Sequence, residues 1–174
     1  MSMGGNKDIG ALASSSRLHL ASISNADNGV AQDGASLDTQ EALTDGRAQS
    51  RRTAELVIDV SASLTAAATL DLVINLQHAP DDGAGSPGAF VDVPAGTLLG
   101  ASDLGPGDLL ADALAQIVQG TNDDQQYNIG PVDLSRLERH VRVQITPTFS
   151  AADSAIIDAD FVFGGTQLRP ADLS

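Results

Sequence analysis

Apolar and polar positions alternate with a period of two along much of the chain. From Arg139, Val141, Val143 and Ile145 point one way, while His140, Arg142 and Gln144 point the other. After a polar link, Ser150 to Ser154, the alternation resumes, with Ile157, Ala159, Phe161 and Phe163 on one side and Asp158 and Asp160 on the other. Successive side chains of a strand leave opposite faces of the pleat, so each run predicts a half-buried strand. Pro147 lacks an N–H and is expected to end the first ladder. Two runs joined by a short polar link read as an antiparallel hairpin with one wet face. Ala54 to Ser61 alternates through Leu56, Ile58 and Val60, and Thr69 to His78 through Leu70, Leu72, Ile74 and Leu76. The joining segment SLTAAATLD resembles TFSAADSAIID of the later pair, one loop style used twice.

Elsewhere the pattern thins. Ala79 to Gly88, APDDGAGSPG, is a turn by composition. Phe90 to Val93 is a short strand closed by Pro94, and Tyr127 to Leu134 an extended stretch interrupted by Gly130-Pro131. DLLADALAQIVQ puts Leu110, Ala113, Leu114, Ile117 and Val118 on one helical stripe, with Asp108 to cap it and Gly120 to stop it, so 108–119 is read as a short helix. Residues 1–53 are rich in Ser, Ala, Asn, Asp and Gly. In them only Arg17 to Ile23 alternates, through Leu18 and Leu20. The chain therefore divides into an extended N-terminal arm, 1–53, a body, 54–165, and a polar tail, 166–174. The expected fold is all-β, an antiparallel β-sandwich of jelly-roll type with a long N-terminal arm and one short helix. The arm is expected to become ordered on a neighbouring subunit, with Leu18 to Ile23 adding as an edge strand.

Composition changes this picture mainly through charge. The 174 residues carry a formal charge of −14. Residues 1–53 hold five basic and six acidic side chains, net −1; residues 54–174 hold four and seventeen, net −13. Such a body repels phosphate backbones, which argues against nucleic acid as a partner. Arg47, Arg51 and Arg52 form the basic cluster of the sequence, and with Leu18 and Leu20 they are the candidate partner-binding residues. There is no cysteine, hence no disulfide, thiolate ligand or thiol nucleophile. No apolar run reaches the ~18–20 residues that span a bilayer, and the N-terminus lacks the features of a signal peptide; a soluble protein made in a cytoplasm is expected, with no membrane partner.

No constellation for chemistry emerges. His19, His78 and His140 fall on separate strands without ligand spacing. Asp81-Asp82 and Asp123-Asp124 do not continue into a calcium-loop spacing. AGSPG, Ala84 to Gly88, has alanine where a nucleophile elbow needs its first glycine, and Pro87 follows the serine. No catalytic, cofactor-binding or metal-ligating residue is assigned, and an enzyme is not expected.

The body resembles the cement (decoration) proteins of tailed-phage capsids, in particular the jelly-roll cement family of a Bordetella podovirus. The resemblance rests on Leu76-Gln77-His78-Ala79, the turn Asp82-Gly83, the strand Arg139 to Val143, and the loop Phe149-Ser150-Ala151. It covers 54–165 and matches poorly in the arm and over 105–125. It implies a protein of the virion surface that clamps major capsid proteins from outside, as a homo-oligomer, dimer or trimer, made in the host bacterial cytoplasm. The alternative is a receptor- or carbohydrate-binding jelly roll of a phage tail or fibre. Sugar sites favour exposed aromatic platforms, and this chain has no Trp and one Tyr, Tyr127.

Overall fold

The alternating runs are strands, and they lie in two facing sheets. The computed structural model describes residues 13–39, 49–50, 53–94, 97, 112–113, 117–120, 123–164 and 167–168. In chain order the strands are β1 (Ala13–Ser24), β2 (Gln32–Asp33), β3 (Leu37–Asp38), β4 (Gln49–Ser50), β5 (Thr53–Ser63), β6 (Thr69–Ala79) and β7 (Val91–Asp92). There follow β8 (Asp112–Ala113), β9 (Ile117–Val118), β10 (Asp124–Asp133), β11 (His140–Phe149), β12 (Ser154–Gly164) and β13 (Gln167–Leu168). One sheet has the order β1-β12-β5-β10. In the other, β11 and β6 are central, β2 and β3 line the outer side of β11, and β7, β8 and β9 line the outer side of β6. All these pairs are antiparallel. If β2 with β3, and β7 with β8 and β9, are each taken as one broken strand, the sheet orders are first-eighth-third-sixth and second-seventh-fourth-fifth. That is a jelly roll.

The core lies between the sheets and is built from the expected inward positions. Leu56, Ile58 and Val60 meet Leu70, Leu72, Ile74 and Leu76, Val141, Val143 and Ile145, and Ile157, Ala159, Phe161 and Phe163; all are buried. Phe161 and Phe163 form a tilted aromatic pair, 6.0 Å between centroids.

The two expected hairpins are not hairpins. β11 pairs with β6, and β12 with β5 and β1, so the 150–153 link carries the chain from one sheet to the other. The 64–68 link between β5 and β6 does the same. The similar loops are thus two neighbouring corners of one sandwich. Ser150 Oγ accepts from Thr69 N–H at 2.8 Å, Ser150 N–H donates to Thr69 O at 3.0 Å, and Asp153 spans to Thr65.

Three further expectations are corrected. Pro147 does not stop its strand: β11 continues to Phe149 with Pro147 opposite Leu72. Arg139, Val143 and Pro147 turn their carbonyls away from β6, where they accept from Thr39, Gly34 and Gly29 N–H at 2.8, 2.8 and 2.9 Å. The absent N–H of Pro147 thus faces the sheet's outer side and removes nothing from the β6 ladder. His140, placed with the outward series, is buried, because the 80–88 turn brings Asp81 over that end of β11. The helix read over 108–119 gives way at its described residues to β8 and β9, which pair along β6 at Ile74–Asp112, Val73–Ala113, Leu70–Ile117 and Thr69–Val118. β-Branched Ile117 is fully buried there, where edge pairing and burial override a helical stripe. The described helical turns are the 3-10 turns Asn25–Asp27 and Leu134–Arg136.

β1, β2 and β3 lie within the stretch read as an arm. β1 pairs along β12 of its own chain, from Ala13 opposite Gly164 to Ser24 opposite Ser154, with an irregularity between Arg17 and His19. Asn28 then clamps β11: its Nδ2 donates to Phe149 O at 2.9 Å and its Oδ1 accepts from Phe149 N–H at 2.7 Å. In β10 a bulge falls at Gly130-Pro131. Gly130 has φ 152, and a Cβ there would lie 3.2 Å from Ala54 O, so no other residue fits without strain.

Candidate functional site

The two outward sheet faces differ in how their charges are arranged. On the β11–β6 side, side chains satisfy one another. Arg139 forks onto Asp38 through Nε and Nη2, at 3.1 and 2.7 Å, and places Nη1 2.6 Å from Asp81 Oδ2. These contacts hold Arg139 more firmly in its cationic form, the Asp38 hydrogen bond most of all. Asp81 Oδ1 accepts from Gly83 and Gly85 N–H at 2.6 and 3.3 Å. Its carboxyl is held below the usual value of 3.8 by the Gly83 N–H first, then, against the opposing effect of burial, by Gly85, Arg139 and His140. Asp82 caps the same turn through Ala84 and Ser86 N–H. The Asp81-Asp82 pair is therefore spent on its own loop and on Arg139. Arg142 reaches Asp33 at 2.9 Å, donates to Gln77 Oε1 at 2.9 Å, and lies 4.2 Å from the Phe90 ring centroid. Asp92 accepts from Asn75 and Gln77, which lower its pKa, Gln77 first.

The outward face of β12, β5 and β10 is different. Alternation turns Glu55, Val57, Asp59 and Ser61 out from β5, Ile156, Asp158, Asp160 and Val162 from β12, and Asp124, Gln126 and Asn128 from β10. The basic side chains described are Arg136, Arg139 and Arg142, and none is on these strands. Asp59 stands opposite Asp158 on one side and Gln126 on the other; Ser61 stands between Ile156 and Asp124. Gln126 Nε2 donates to Asp59 Oδ1 at 2.8 Å, and Ser61 Oγ to Asp124 Oδ1 at 2.7 Å. These rows line an open groove of about 420 Å³. Ile156 is 55% exposed and Val162 37%, both large apolar side chains left in water.

Of the candidate partner-binding residues, Leu20 takes the register position opposite Asp158, next in row to Asp59, and Leu18 falls at the irregularity of β1. Arg47, Arg51 and Arg52 lie outside the described residues. The acidic rows were missed because, although VIDV and IDAD each show an aspartate on the polar side of a strand, nothing in the sequence says that the strands adjoin.

The histidines do not converge. His140 Nε2 lies 3.5 Å from Asp81 Oδ2, His78 Nδ1 accepts from Glu138 N–H at 3.0 Å, and His19 takes a register position on β1 opposite Ala159. Among the described residues no three His, Asp or Glu side chains are grouped to hold a metal ion. No described helix is long and apolar enough to cross a membrane. Tyr127, Phe149, Phe161 and Phe163 are buried, and Phe90 lies under Arg142.

Neither a protein-family model nor a curated protein matches the chain. Two solved structures, both of viruses, align over most of it. A chain of mud crab tombus-like virus is 15% identical, with 91% of this chain and 81% of that one covered and a TM-score of 0.29. A chain of infectious bursal disease virus, Gx strain, is 11% identical, with 93% and 44% covered and a TM-score of 0.24. At such values function has to be argued from the residues.

Proposed function

We propose that the chain is a structural protein of a virus head, a cement (decoration) protein that binds the outside of a phage capsid and stabilises contacts between major capsid proteins. The observation that carries this reading is the contrast between the two sheet faces. One pairs its own charges; the other presents carboxylates and exposed aliphatic side chains over an open surface. A broad surface suits a protein partner better than a small molecule, which favours an enclosed and largely apolar cavity. A jelly roll by itself leaves function open, since lectins and capsid proteins share it. The reading as a carbohydrate-binding module is disfavoured by the burial of Tyr127, Phe149, Phe161 and Phe163, which leaves no described aromatic platform. Many copies on one shell need only modest contacts each, because binding at linked sites multiplies. The same surfaces admit a homo-oligomer on the shell, a dimer or trimer.

The test is co-sedimentation of the purified protein with phage heads assembled without it, with a glycan array run in parallel. Saturable binding to heads, with added resistance of the heads to heat or chelator, is expected. Binding to glycans and not to heads would replace this reading by the tail or fibre alternative.

A further inference from the structure

We infer that the outward face of β12, β5 and β10 is the surface that meets the shell, and that its occupant is a basic surface of the major capsid protein with an apolar centre. The inference rests on the cement reading and adds to it the orientation and the partner's chemistry.

Charge is the first argument. Glu55, Asp59, Asp124, Asp158 and Asp160 share this face, and no basic side chain is described on its strands. The register position of Arg17, opposite Asp160, brings one cation to its margin. A partner rich in Lys and Arg supplies what the face lacks, whereas a second copy docking the same face would set carboxylate against carboxylate. Apolar placement is the second argument. Ile156 and Val162 project from β12, which has β1 on one side and β5 on the other, so they sit inside the face. An interface with aliphatic contacts inside a charged surround has the usual core-and-rim anatomy.

Area is the third. Eleven residues of β12 at ~3.3 Å each and four strands at ~4.8 Å give roughly 700 Å², close to the ~800 Å² per partner of a standard interface. The opposite sheet cannot serve as well. Arg139, Arg142 and Asp92 there are already engaged, and docking would have to displace those contacts.

The experiment compares four proteins in head binding at increasing salt: wild type, D59K/D124K, I156S, and the charge-matched control D92K/E138K, which lies off this face. Thermal melts confirm that each is folded. D59K/D124K is expected to bind about tenfold more weakly at 0.1 M salt, where screening acts over ~10 Å, and to lose salt sensitivity; the control should bind as wild type does. I156S should weaken binding equally at all salt concentrations. If wild type binds heads and the face variants bind as well, the face assignment is wrong and the cement reading stands. If wild type does not bind heads, both fall. If D59K/D124K instead changes the oligomeric state of the free protein, the face belongs to a second copy.

Discussion

Asp59 on β5 and Asp158 on β12 are register partners, two carboxylates set directly across one ladder on the outward face. Like charges in that relation destabilise a strand pair by roughly 0.2–1 kcal/mol. Gln126 donates to Asp59 from β10, which offsets part of the repulsion and leaves the pair in place. A local conflict of this kind is expected where a surface is kept for something other than stability. Asp59→Asn keeps the acceptor for Gln126 and removes one charge. It is expected to raise unfolding stability by ~0.2–1 kcal/mol at low salt, with the gain shrinking as salt rises. Urea titrations at two salt concentrations measure this; a loss of stability would mean that the pair is not repulsive.

Asp153 joins the two corners. It is nearly buried, and its carboxylate accepts from Thr65 N–H at 3.1 Å and from Thr65 Oγ at 3.2 Å. Asp153→Ala should cost about 1–3 kcal/mol by leaving the Thr65 amide without its acceptor. A double-mutant cycle with Thr65→Val should return a coupling of at least ~0.5 kcal/mol. Additive losses would mean that the corners are held independently.

What could be read beforehand follows from what alternation encodes. A period of two fixes which side of a strand is buried, and Leu70, Leu72, Ile74, Val141, Val143, Ile145, Ile157, Phe161 and Phe163 all proved to be core. It does not fix which strand lies alongside. A short link between two runs suits a hairpin and a sheet-to-sheet corner equally well, so β11 and β12 looked like neighbours although they belong to different sheets. Short pieces were illegible for a related reason. β8 and β9 are strands because the side of β6 needs partners, a long-range demand that a local helical stripe at 108–119 cannot reveal. The acidic face inherits the same limit, since Asp59, Asp124 and Asp158 are far apart in the chain and meet only through the strand order.

Phe161 and Val162 test the assignment of faces within one strand. Phe161 is fully buried and packs on Phe163, whereas Val162 points outward. Phe161→Ala should cost roughly 3–5 kcal/mol, and Val162→Ala no more than ~0.5 kcal/mol. Similar losses in chemical denaturation would contradict the orientation of β12.

Asp81 gives the protein a predictable acid limb. Its carboxyl is depressed below 3.8 in the folded chain, so its contribution is complete at pH values above that and is lost as pH falls through the folded value. Asp92 is shifted the same way and acts in the same window. Asp81→Asn should lower the melting temperature near neutrality, and the gap from wild type should close as the pH drops below about 3.8. A gap independent of pH would show that charge on Asp81 is not what stabilises the turn against Arg139.

The last prediction concerns residues 1–52. β1 runs the length of β12, and Ile23 at its end is buried in the core. Beyond it, Asn28, Gly29, Gly34 and Thr39 bond in turn to Phe149, Pro147, Val143 and Arg139 along the outer side of β11. Removing these residues would leave the β12 edge without its partner, open the core where Ile23 sits, and strip β11 of its hydrogen bonds on that side. Each buried backbone group left without a partner costs about 1–3 kcal/mol; several together reach the ~5–15 kcal/mol that holds a whole domain. A chain starting at Thr53 is therefore expected to lose its cooperative transition, while one starting at Ala13 should melt close to full length. Circular dichroism melts and amide exchange at Val143 and Phe149 distinguish these outcomes. Cooperative unfolding of 53–174 at the full-length temperature would mean that β1 and the segment after it are accessory to the roll.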